Sequence, residues 1–303
     1  MPPPEGAPPT TPEVVDVEAI GAESLPPAPI ERRPRHWLVR LSWAWIGVVV
    51  FGAVFANFLP LADPNALDVS GRLGGPGSPG HLLGADGLGR DILSRIVFGS
   101  RVSLVVSLAS VSIGMTVGGT LGMVVGYFRG KLEAFVMAGV NVLLAFPALI
   151  LLLALVAFVG QSLIAITLVI GFVSIPIYTR VARATTLGIA QREFVLAARA
   201  MGARHHRIIV REILPNVVLP VLAFGLVAVG ALIVLEGALA FLGLSVQPPT
   251  PTWGSMIAEG KRHLSRTAHV AFVPSTVMFL TVLSVNFVGD SLRRRFDVKE
   301  SYI

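Results

Sequence analysis

The chain has 303 residues, of which 53% are hydrophobic and 14% charged, with a mean hydropathy of +0.75. An ordinary soluble domain carries about 25% Asp, Glu, Lys and Arg, so this composition excludes a soluble enzyme and points to a lipid solvent. The net charge of +6 is too thinly spread to track phosphates, which excludes nucleic-acid binding, and the absence of cysteine excludes a disulfide framework or thiolate metal site.

Residues 1–34 hold ten of the 22 prolines and six of the 18 acidic residues. Such a mix cannot bury apolar surface, and a disordered cytoplasmic tail without assigned function is expected. Beyond it, six segments have the roughly 20 apolar residues that a spanning helix needs. They are 43–61, 102–127, 134–159, 163–178, 217–244 and 268–288. The first has no short basic start and no small-residue cleavage site before it, so it reads as a retained helix. The organisation expected is a first transmembrane helix with an outer segment over 35–101, then a five-helix core over 102–290 with a cytoplasmic loop at 181–215, then a cytoplasmic tail over 291–303. With both termini inside, 17 of the 24 Lys and Arg face the cytoplasm, as the positive-inside rule requires. Trp43, Trp45, Tyr127 and Tyr178 lie at segment ends, where aromatic rings anchor to the interface.

In the outer segment Leu88, Ile92, Leu93 and Ile96 share a helical face opposite Arg90, Asp91 and Arg95, which predicts a helix lying along the outer interface. The second span carries Ser110, Gly114, Gly118, Gly122 and Gly126, a small residue every four positions. That stripe admits a neighbouring backbone closely, either as fixed packing or as a face that rocks in a transport cycle. Pro147, Pro176, Pro220 and Pro274 fall inside or beside spans and permit kinks. Glu236 is the one formally charged residue within the six segments. An intramembrane carboxylate faces a polar partner or a solute path, and both readings stand for Glu236.

The chain lacks a nucleotide-binding P-loop, because Gly126 is followed after three residues by Gly130-Lys131-Leu132 and the motif needs four and then Ser or Thr. There is no HExxH pair and no GxSxG turn, and His205-His206 reads as solvated surface. No catalytic residue, resident cofactor or metal ligand is expected. The segment 191–215, QREFVLAARAMGARHHRIIVREILP, is the most informative. Phe194, Ala197, Ala198 and Met201 follow i, i+3, i+4, i+7 and give a short helix one apolar face, and Gly202 ends it. Such a helix lies on lipid headgroups or docks into a groove on another protein.

This segment resembles the signature of permease subunits of ATP-binding-cassette importers: Glu-Ala-Ala, three residues, Gly, nine residues, Ile, any residue, Leu-Pro. Ala197, Ala198, Gly202, Leu214 and Pro215 match, while Leu196 and Glu212 replace the pattern's Glu and Ile. Three further stretches, HLLGADGLGRDILSRIVFGSRVSL from His81, LAFPALILLLAL from Leu144 and EGALAFLGLSVQPPTPTWGSM from Glu236, resemble the dipeptide, oligopeptide and nickel branch of that family and its C-type subunit. The resemblance implies an all-α polytopic membrane protein with six transmembrane helices, of the type I importer permease fold, in the bacterial inner membrane. It also implies that the helix around Phe194–Gly202 is a coupling helix docking on an ATPase, and that the outer segment and the Gln247 to Trp253 turn face a solute-binding protein. The partners implied are a second, B-type permease in a heterodimer, two ATPase domains that bind ATP and Mg, an extracytoplasmic binding protein, and a peptide or similar small solute. Two other classes compete on residues alone: an ion-gradient-driven secondary transporter, with little support beyond Glu236, and a membrane scaffold whose basic loop binds lipid.

Overall fold

A computed structural model describes residues 36–300, with side chains described as far as Arg293; the tail expected over 1–34 and residues 301–303 lie outside the described residues. In chain order the helices are α1 His36–Phe55, α2 Ile92–Phe128, α3 Gly130–Ala145, α4 Ala148–Val159, α5 Leu163–Ile189, α6 Glu193–Ala200, α7 His205–Phe241, α8 Trp253–Gly260 and α9 His269–Glu300. Among the described residues there is no strand, only two isolated bridges in the 56–91 segment and its junction with α2. Five helices, α1, α2, α5, α7 and α9, are long and apolar enough to cross a membrane, and α3 with α4 makes a sixth crossing if the bent pair is one span.

That sixth crossing differs from the continuous span expected over 134–159. The two halves meet at 91°. Pro147 has no N–H to donate and crowds the residue before it, so Phe146 is extended at φ −80 and ψ 137 and α3 stops there. The fourth span is longer than expected: Ser162 caps α5 by accepting from the Ala165 N–H at 3.1 Å, and the helix runs past Tyr178 to Ile189. Apolar length measures the hydrocarbon, not the helix, and the last three turns carry Arg180 and Arg183 beyond the apolar run.

The outer segment also departs from expectation. No separate interfacial helix exists over 88–96; Leu88 sits in a turn, and α2 begins at Ile92, where Asp91 caps it by accepting from the Ser94 N–H at 2.7 Å. At 37 residues α2 is roughly 55 Å long, far more than the ~30 Å of hydrocarbon, so its first turns stand outside the membrane core. Both faces of this stretch are buried, Ile92 and Ile96 together with Arg90, Asp91 and Arg95. The charges are held by each other rather than by water.

The main core lies where α2, α5 and α7 meet, around Val106, Ile166, Ile170, Tyr178, Ile213, Val217 and Ile233; a smaller cluster of Ile92, Ile96, Met256 and Val270 closes the outer end. The indole of Trp45 donates to Thr281 Oγ1 at 3.0 Å and ties α1 to α9, while Arg101 donates to the Ala53 carbonyl at 2.8 Å and satisfies the end of α1. Trp253 at the head of α8 is fully buried and donates its ring N–H to the Ile96 carbonyl at 3.1 Å. The turn before it is therefore divided: residues 247–250 are exposed, and 251–254 belong to the interior.

Candidate functional site

The segment around Phe194–Gly202 is built from a short helix and a glycine stop. The Ala203 N–H donates to Ala198 and the Gly202 N–H to Arg199, at 3.1 and 3.0 Å, the paired bonds of a Schellman ending. Gly202 makes this possible at φ +81, a backbone conformation that a side chain resists. The four apolar residues expected on one face are divided by the structure. Ala198 turns inward beside Val195 into the chain's own core, three residues apart on one helical face, while Phe194, Ala197 and Met201 are exposed, Met201 at 82%. The outward face thus comprises Phe194, Ala197 and Met201, with Gly202 at its end.

His205 is exposed, as the sequence suggests, and also has a partner. Its Nδ1 is hydrogen-bonded to the Tyr127 hydroxyl at 2.8 Å, and the guanidinium of Arg199 lies 5.5 Å from the centroid of the same phenol ring. Tyr127 is buried at the end of α2. Its pairing with His205 spans 78 residues of chain and leaves no trace in local spacing.

The small-residue stripe of α2 lies against α5. A Cβ on Gly114 would stand 2.6 Å from Ser174 Oγ, one on Gly118 2.5 Å from the Ile175 carbonyl, and one on Gly126 2.9 Å from Thr186 Cβ; Gly122 meets the Thr179 carbonyl closer still. Ser110 donates to the Thr167 carbonyl at 2.9 Å along the same seam. Within this stretch residues Gly114–Gly118 widen into a π-helical turn, a local irregularity that recurs at functional sites. On another side of that turn α2 and α7 flank an open cavity of about 220 Å³, lined among others by Met115, Thr116, Thr120 and Met123 of α2 and Leu214 and Val218 of α7. None of its lining residues is ionisable. A second π-helical turn, Ile209–Ile213, joins the start of α7 to this wall.

Glu236 is not among the cavity residues. Its side chain is buried, 1% exposed, with Oε1 accepting from the Ser245 hydroxyl at 2.6 Å and Oε2 close to the backbone of Gly254. At the outer end stands a charged cluster that local spacing does not reveal. Arg90 donates to Asp86 and to Glu259, each at 2.7 Å, and Arg95, buried at 1% exposed, lies 3.5 and 3.6 Å from the same two carboxylates. Beside it His81 is held between Asp91 at 3.1 Å and Asp68 at 3.4 Å. The Ser70 hydroxyl, with backbone N–H groups of Gly71 and Ser70, lowers the Asp68 carboxyl to about 2.

The family described as binding-protein-dependent transport system inner membrane component matches residues 118–301. The chain is 40% identical over 248 residues to the glutathione transport system permease protein GsiD of Pectobacterium atrosepticum, covering 82% of each. It is 37% identical over 266 residues to GsiD of Escherichia coli, covering 88% of each. Among solved structures, a chain of the MetNI methionine ABC transporter in an inward-facing conformation aligns at a TM-score of 0.58 with 20% identity, over 67% of this chain and 96% of that one, which supports the fold. The long apolar helices and these matches agree: the chain belongs to the binding-protein-dependent transport system inner membrane component family and is a permease subunit of an ATP-driven importer in the bacterial inner membrane.

Proposed function

We propose that this permease passes small peptides, of which the tripeptide glutathione is the nearest guide, and that its exposed α6 face couples the passage to an ATPase. The solute class rests on the relatives, whose names specify glutathione transport. The coupling rests on one observation: Phe194, Ala197 and Met201 project from a short helix whose inward residues are already packed, and the chain then runs through His205–Phe241 directly into the cavity wall at Leu214. An ATPase groove that covers these three side chains gains their apolar surface, at about 25 cal/mol per Å², and moves α7 with them.

In this reading a second, related permease completes the solute path opposite the α2 and α7 wall. Two ATPase domains carry ATP and Mg, and a binding protein delivers solute to the outer end. The lining of Thr hydroxyls, Met thioethers and aliphatic side chains offers no fixed charge, so selection of the solute falls to the binding protein. Met and small hydroxyl side chains tolerate varied partners. Glu236 is a structural contact that joins α7 to Ser245, apart from the residues that line the cavity, which gives an ion-driven cycle through it no support.

The experiment is uptake by proteoliposomes holding the complete importer, with labelled glutathione and a labelled dipeptide. Uptake that needs both ATP and the binding protein, with each solute competing against the other, is expected. Uptake driven by an ion gradient in the absence of ATP would overturn the reading.

A further inference from the structure

The cavity has two walls, and they are connected differently to the coupling segment. The α7 wall is its covalent continuation, since Ala200 and His205 are separated by only a turn. The α2 wall has no such link; it continues instead into α3 through Arg129 and Gly130. If only α7 moved when an ATPase pushed on α6, the cavity would deform on one side. Among the described residues, the hydrogen bond and the cation contact joining α2 to the coupling segment both run through Tyr127.

We infer that Tyr127 is the positioning residue that makes α2 follow the coupling segment, through its hydroxyl to His205 and its ring to Arg199. The placement suits this role. Arg199 lies on α6 and His205 is the first residue of α7, so the two partners bracket the turn that an ATPase displaces. Tyr127 immediately follows Gly126, the last member of the seam with α5, at the end of a helix whose cavity residues Met123, Thr120 and Thr116 lie one to three turns away. The phenol is buried, 7% exposed, and its ring also packs edge-on against His205 at 5.6 Å between centroids. A helix end held by a part-buried hydrogen bond and a guanidinium tends to be displaced with its holders, because separating them leaves the buried phenol hydroxyl without its partner. The inference rests on the reading of α6 as the ATPase-docking helix.

The test uses the complete importer in proteoliposomes and reads ATP hydrolysed per solute moved, which a merely structural residue would not change. Tyr127→Phe removes the hydroxyl and keeps the ring; His205→Ala removes the partner from its exposed side and serves equally if the first variant accumulates poorly. Each is expected to raise ATP consumed per solute by roughly two- to tenfold, the weight of one hydrogen bond, with the ATPase still bound. The double variant is expected to be no worse than either single, as for two ends of one interaction. A wild-type ratio in both single variants, or effects that multiply in the double variant, overturns the inference. Met201→Glu separates it from the reading beneath: if that variant retains the ATPase and full uptake, the docking helix itself is misassigned. If it releases the ATPase while Tyr127→Phe keeps the wild-type ratio, the role of Tyr127 alone falls.

Discussion

Gly126 of α2 faces Thr186 of α5 so closely that a Cβ on the glycine would stand 2.9 Å from that of the threonine. The same closeness repeats one and two turns earlier, so the seam leaves no room for side chains. Gly118→Leu or Gly122→Leu is expected to cost about 3 kcal/mol through overpacking, seen as a lower melting temperature of the purified permease. Gly139→Leu on α3, where nothing lies within 4 Å of a new Cβ, is the control and should melt with the wild type.

Glu236 and Ser245 make a buried hydrogen bond of 2.6 Å across the end of α7. Ser245→Ala leaves a carboxyl oxygen without its donor and is expected to cost about 1–3 kcal/mol of stability. Glu236→Gln keeps the accepting oxygen, so uptake and substrate preference should remain within about twofold of wild type, a shift smaller than the loss of one hydrogen bond. Abolished uptake with intact folding would return this residue to the solute path.

The outer end depends on charges buried together. Asp86→Asn removes one of two carboxylates shared by Arg90 and Arg95 and is expected to destabilise the outer segment by about 3 kcal/mol, as breaking a buried ion pair does. Increased protease cleavage within 56–91 is the readout. Cleavage at the wild-type rate would show that the pairs carry little.

Asp68 gives a dependence on acid. Its carboxyl is lowered from 3.8 to about 2 in the folded chain, so it binds its proton less readily there than in the unfolded chain. Its contribution to stability is complete above pH 3.8 and is lost as pH falls through about 2. Amide exchange around Ser70 and Gly71 should therefore quicken over that interval, and Asp68→Asn should not show this step.

Much of the fold was legible in the residues. Apolar runs located the spans because hydrocarbon imposes a length, and the Gly202 stop and the stripe from Gly114 to Gly126 were visible as spacing. What was hidden depends on partners distant in the chain. Arg90 and Arg95 looked like the wet face of an interfacial helix because Glu259, their second carboxylate, lies on α8. His205 is exposed as its sequence context suggests, but its bond to Tyr127 was hidden because Tyr127 is on another helix. Ala198 looked outward because a four-residue apolar pattern on so short a helix does not say which of its members the chain keeps, and Val195 decided that. The break at Phe146 and Pro147 was written in the proline, but its 91° angle was not.

The central claim is that the exposed face of α6 receives the ATPase. Met201 is 82% exposed, so Met201→Glu, combined with Ala197→Glu, should leave the permease's own fold within about 0.5 kcal/mol of wild type. The decisive measurement is co-purification of the ATPase with the doubly substituted importer, together with ATP-driven solute uptake. Loss of both, with the second permease still bound, is the expected result; wild-type ATPase retention and uptake would contradict the account.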